Sequence, residues 1–312
     1  MRPLHDGIFA FAAMSAALFA AAAPAGATER RVLGIAAIGS NDDFLSPGIL
    51  DRWRSGALQL HGVWGSGWPT TGALGFGEVL EFRFRGETIT PADVDAPAPG
   101  DRPYAGPMSF GLHTHWREGA LHLRTGAALV LTGPQTGISD LQKRLHEAQD
   151  LPDPSSAAED QIGDAAYLTL SGEAAYPIAA TPGISLRPFA EARAGDETFA
   201  RIGVDLLGGS LGTGGLLVRE YATGQLVEAV RGDGAGFGWS AGLDVAAVAG
   251  SVYLPDDDGR PGPENMRARA RVGAMWAGER WSVFAGTAYL SEEFEGQSEG
   301  QVVGSIAVAY GF

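Results

Sequence analysis

The sequence has no cysteine, which excludes a disulfide-stapled scaffold and any thiolate metal site. It is also poor in positive charge, with 22 Lys and Arg against 37 Asp and Glu and a formal net charge of −15. A chain this acidic repels the phosphates of nucleic acid, so no nucleic-acid partner is expected. Beyond residue 27 no apolar run approaches the roughly 18 residues of a membrane helix. The remaining way across a bilayer is a closed barrel of strands.

The single long apolar run, Ile8 to Ala23, is followed by Ala25-Gly26-Ala27, a small-residue cleavage pattern. Residues 1–27 are therefore read as a secretory signal and residues 28–312 as one domain. Glycine is abundant there, with 46 residues in the whole chain. Strand-like runs recur, each of roughly ten residues, the length of a tilted strand that crosses a bilayer. In "NMRARARVGAMW", Arg267, Arg269 and Arg271 share one face, and Ala268, Ala270, Val272, Ala274 and Trp276 the other. "LEFRFRG" sets Leu80, Phe82 and Phe84 against Glu81, Arg83 and Arg85, and "SLRPFAEARAG" puts Arg187, Glu191 and Arg193 on one side. In a soluble sandwich the charged faces would be wetted. In a membrane barrel they would line the lumen, with the apolar faces in lipid. "VGSIAVAYGF" closes the chain with the same period of two and a terminal Phe312, which resembles the end of bacterial outer-membrane barrels.

Strands are expected over 31–38, 55–65, 76–86, 105–116, 120–131, 164–176, 183–194, 198–208, 237–249, 266–277, 280–290 and 301–312. The fold class is all-β: a twelve-stranded antiparallel transmembrane β-barrel, its strand number even as single-chain bacterial barrels require. The segment "GGLLVREYATGQLVEAVRGDG" does not fit the pattern and reads as an extra hairpin turning at Thr223-Gly224. With both termini in the periplasm, the odd-numbered connections face outward. The first, third and fifth are long, as expected of extracellular loops. The fifth contains "PQTGISDLQKRLHEAQDLP", where Ile138, Leu141 and Leu145 recur at helical spacing beside His146. A short helix in an extracellular loop is the expectation.

Three chemically loaded loops thus share one rim. Asn41, Asp42 and Asp43 follow the first strand. Their oxygens suit a hard cation such as Ca²⁺, although such a run is more often a solvated turn. His61, His113, His115 and His122 lie in strand patterns and read as packing or lumen lining. His146 is on the loop helix. There it is either structural or a general base, since a neutral imidazole titrates near working pH.

"NDDF", "DRWRSG", "DRPYAG" and "GPQTGISDLQKRLH" occur in this order over residues 41 to 146. Together they resemble the outer-membrane lipid A 3'-O-deacylase family, the LpxR-like proteins, and the resemblance extends over nearly the whole mature chain. It implies a Ca²⁺-dependent carboxylic ester hydrolase that removes the 3'-linked acyloxyacyl chain from lipid A of lipopolysaccharide. The lipid A acted on would be that of the outer leaflet, and the site would lie between the barrel wall and a helix from an extracellular loop. The resemblance implies Asn41 and Asp42 as the metal-proximal pair, which also counts among the catalytic residues. Ser55, where the family usually has Thr, would be a catalytic residue that orients the water or acts as nucleophile, and His146 is the catalytic histidine. Arg102 is the arginine of the Pro-Tyr-Ala-Gly motif, where it binds a lipid A phosphate or braces the loop. Asp101 precedes it where some members carry a basic residue. A monomer is expected. Two other readings stay open on the residues alone: a non-catalytic barrel, as pore or scaffold, and a phospholipase-like esterase.

Overall fold

The computed structural model describes residues 29–312 except 45–50, 70–71, 182, 212 and 258. The expected signal at residues 1–27 lies outside them. Among the described residues the period-two runs form fifteen strands: β1 (Arg31–Asn41), β2 (Trp53–Gly65), β3 (Leu74–Thr90), β4 (Met108–Glu118), β5 (Leu121–Thr132), β6 (Ala165–Ala175), β7 (Ile178–Thr181), β8 (Ile184–Ala194), β9 (Glu197–Gly209), β10 (Leu216–Arg219), β11 (Leu226–Val230), β12 (Gly236–Ser251), β13 (Met266–Ala277), β14 (Trp281–Leu290) and β15 (Gln301–Gly311). Two α-helices, α1 (Ile138–Gln149) and α2 (Ser155–Glu159), lie between β5 and β6.

Twelve strands close into one antiparallel ring. β1 pairs with β15, and β6 pairs with β8 past the short β7, so every expected strand takes its place in chain order. The wall stands higher than expected over its first strands. β1 runs through Asn41 and β3 through Thr90, so Asn41 ends a strand instead of following one.

The dyad patterns point as an outer-membrane barrel requires. Val272 and Trp276 are exposed on the outer face of β13, while Arg267, Arg269 and Arg271 are buried in the lumen. Carboxylates meet these arginines there: Arg267 pairs with Glu197 at 3.0 Å, Arg269 with Asp244 at 3.0 Å, and Arg271 with both Asp205 and Asp244. Pairs this buried add little net stability, because desolvation offsets the attraction, but removing one partner is costly and so the register is held. His61 and His115 both bind Glu81, at 2.6 and 2.7 Å, and line the lumen as expected. At the lower edge of the wall Tyr310 packs edge-on between Trp281 and Phe312, ring centroids 4.6 and 4.9 Å away.

The expected hairpin turning at Thr223-Gly224 is β10–β11, and it folds up inside the lumen. Leu216, Val218, Leu226, Val227 and Val230 form one apolar core with Leu33 and Ile38 of β1, Val63 of β2 and Phe284 of β14. Gly34 allows this approach, because a Cβ there would collide with the Ala229 carbonyl oxygen. Higher up, Arg219 bonds Asp205 at 2.8 Å, and the Gln225 amide bonds the Val272 and Thr287 carbonyls at 2.9 and 3.0 Å. This hairpin and the ion pairs occupy the lumen.

Candidate active site

The site forms where the high part of the wall, β1 to β3, meets α1. Asn41 is held in the wall opposite Gly56 of β2 and Gly304 of β15. Its Oδ1 accepts the Asp43 backbone N–H at 2.5 Å, which turns the chain over the rim. Asp42 is completely buried in that turn. Its Oδ2 accepts the Arg52 N–H at 2.8 Å and lies 3.4 Å from the Gln301 amide nitrogen, while its Oδ1 is buried with no partner. Burial, reinforced by Asp43 and Asp51, pushes the Asp42 carboxyl up to about 7 against the opposing Arg52 hydrogen bond.

Ser55 owes its orientation to a β-bulge. The β2–β3 register slips between Arg54 and Gly56, and a bulge of this kind re-aims a side chain. Arg54 turns into the lumen, to Glu87 at 2.6 Å and Glu293 at 2.9 Å. The Ser55 hydroxyl donates instead to Asp51 Oδ1. Asp51 and Trp53 both have positive φ, 38° and 54°, a conformation that is costly for tryptophan and that concentrates at functional sites. Trp53 is pinned there by Phe294 edge-on and by the Arg52 guanidinium over its ring.

α1 presents its polar face to this wall. His146 Nε2 lies 3.0 Å from Asp51 Oδ2, and the Gln142 amide nitrogen lies 3.4 Å from both Asp51 Oδ1 and His146 Nε2. His146 Nδ1 donates to the Pro152 carbonyl at 2.5 Å. That bond fixes the ring orientation and leaves Nε2 to face the wall. Thus His146 and Ser55 are brought together through Asp51, and Asp42 lies one peptide away through the Arg52 N–H. Sequence reasoning missed two members. Gln142 stands four residues before His146, on the same helical face, a spacing that was there to be read. Asp51 opens the quoted "DRWRSG" and gave no signal apart from that motif.

Arg102, expected to bind a phosphate or brace the loop, meets a carboxylate of the last outer loop. It is buried, with Nη1 on Glu293 at 2.9 Å and the guanidinium 5.5 Å from the centre of the Phe294 ring. Burial disfavours the charged Glu293, but Arg54, Arg267 and Arg102 overcome this and hold its carboxyl down at about 2. The same motif supplies the floor for α1. Thr136 Oγ1 donates to the Gly106 carbonyl at 2.8 Å, and a Cβ on Gly106 would lie 2.7 Å from Ile138 Cβ. Gly106→Val is expected to push α1 off the wall and lower activity about 10²-fold, the cost of roughly 1 Å of misplacement. The barrel should keep its heat-modifiable migration on a gel. Full activity in this variant would show that α1 need not rest on Gly106.

No group of three or more His, Asp or Glu side chains is arranged to hold a metal among the described residues. The chemistry at Asp42 nonetheless suits a hard cation: a buried carboxylate oxygen without a partner, next in the chain to Asn41 and Asp43.

The model of the outer membrane protein LpxR family matches residues 9–312. The chain belongs to the LpxR family. As an LpxR-family barrel it is an outer-membrane protein. Among solved structures it is similar to LpxR from Salmonella typhimurium, with a TM-score of 0.72, 16% identity, and 89% of this chain and 100% of that one covered. It is more distantly similar to the KdgM porin, with a TM-score of 0.41, 7% identity, and 90% and 99% covered. The translocator domain of the autotransporter NalP from Neisseria meningitidis gives a TM-score of 0.40, 12% identity, and 98% of each chain covered. No curated protein sequence matches the chain.

Proposed function

We propose that this LpxR-family protein is a lipid A deacylase. In this reading it is a Ca²⁺-dependent carboxylic ester hydrolase that removes the 3'-linked acyloxyacyl chain from lipid A in the outer leaflet. The observation that carries the reading is the His146–Asp51–Ser55 cluster, placed between the wall and a rim helix beside the unpartnered Asp42 oxygen. His146 Nε2 takes a proton from water as that water attacks the acyl carbon, and returns it to the departing 3'-oxygen of lipid A as the acyl C–O bond breaks. Asp51, 3.0 Å from Nε2, stabilises the imidazolium that results. Ser55 donates to Asp51 and makes no bond to His146, which favours an orienting role over a nucleophilic one, since a serine nucleophile needs its base within reach. Gln142 supplies an amide donor on the same side. Asp42 Oδ1, with Asn41 beside it, would hold the cation. When bound, Ca²⁺ supplies positive charge that polarises the ester carbonyl and steadies the developing oxyanion. Arg102, braced on Glu293, positions the rim and leaves phosphate recognition to other groups.

The test is mass spectrometry of lipid A from cells with and without the gene. The expected result is a lipid A lighter by one acyloxyacyl group only when the gene is present. Unchanged lipid A with lysophospholipid accumulating would replace this reading with the phospholipase-like one. No change in any lipid would leave a non-catalytic barrel.

A further inference from the structure

In a helix resting on a water-surrounded body, the apolar stripe faces the body and the polar face looks out. α1 is the reverse. Gln142 and His146 are buried against the wall, while Leu141 and Leu145 are exposed, 53% and 39% of their surfaces. An exposed pair of leucines one turn apart is stable where the surroundings are themselves apolar. The contacts of Ile138 locate those surroundings. A Cβ on Gly86 would point away from the lumen, lying 3.5 Å from Ile138 Cδ1 and 3.6 Å from the Phe84 ring. Phe84 in turn packs on Phe110, ring centroids 5.4 Å apart, and Phe110, Leu112 and Leu129 form the exposed outer face of β4 and β5. The apolar stripe of α1 therefore continues the lipid-facing belt of the barrel upward. Arg144 is exposed beside it, with no carboxylate partner among the described residues. A long cationic side chain in that position reaches from the apolar layer to the headgroups.

We propose that α1 is an interfacial helix. Its Ile138–Leu141–Leu145 face rests in the acyl layer of the outer leaflet, and the bilayer itself presses the Gln142–His146 face onto the wall. This goes beyond the hydrolase reading: it rests on the outer-membrane barrel and holds whether or not the site cleaves lipid A.

The chain has no cysteine, so single cysteines placed at Leu141, Leu145, Glu147 and Phe110 can each carry one nitroxide label. All four side chains are exposed, and folding is verified by heat-modifiable migration. The labelled barrels are reconstituted in phosphatidylethanolamine–phosphatidylglycerol vesicles. Collision with oxygen, which partitions into lipid, is compared with collision with a water-soluble nickel chelate. Labels at 141 and 145 should favour oxygen, as does the lipid-facing control at 110, and the label at 147 should show the reverse ratio. Labels at 141 and 145 that behave like the one at 147 would place the stripe in water and overturn the proposal.

Discussion

Replacing His146 with asparagine should lower turnover by roughly 10² to 10⁴, the range for loss of a general base, and leave the barrel folded. Asparagine is the informative choice. Its amide can still donate to the Pro152 carbonyl that His146 Nδ1 holds at 2.5 Å, but it takes no proton at neutral pH. Folding should survive because, among the described residues, the His146 side chain bonds the rim groups Asp51, Gln142 and Pro152 and no paired strand residue of the ring. Purified His146→Asn protein is checked for heat-modifiable migration and then assayed on lipid A. A folded variant with near-normal activity would remove His146 from the chemistry, and an unfolded one would make the histidine structural.

Removing the divalent cation should be comparably severe, about 10²-fold or more, the usual cost of losing one group that stabilises an oxyanion. A chelator is expected to stop hydrolysis and Ca²⁺ to restore it. External Ca²⁺ near mM would fill even a weak site of about 10⁻⁴ to 10⁻³ M. Asp42→Asn should lose both activity and Ca²⁺ uptake measured by equilibrium dialysis. The fold should tolerate the change: the amide oxygen can still accept the Arg52 N–H that Asp42 Oδ2 accepts at 2.8 Å, and no buried carboxylate remains to be kept ionised. Deacylation that persists in chelator, or Asp42→Asn protein that still takes up Ca²⁺, would end the assignment of Asp42 as the cation's ligand.

The local pattern of the sequence determined the wall. Side-chain direction in a strand alternates with period two whatever lies around it, so Arg267, Arg269 and Arg271 fall on one face and Val272 and Trp276 on the other, and an even strand count with long odd connections put His146 on the outer rim. The tertiary structure alone decided how the site is assembled. The bulge that turns Ser55 to Asp51 arises from a register slip between two strands, which neither strand encodes by itself. Glu293, distant in sequence, reaches Arg102 from the last outer loop. The hairpin at Thr223-Gly224 was legible as a hairpin, but its place in the lumen depends on the apolar inner faces of strands far along the chain. The stripe of Ile138, Leu141 and Leu145 announced a helix and gave no sign of its direction. Periodicity reports which residues share a face, and only the surroundings, here a polar wall within and lipid without, settle which face turns inward.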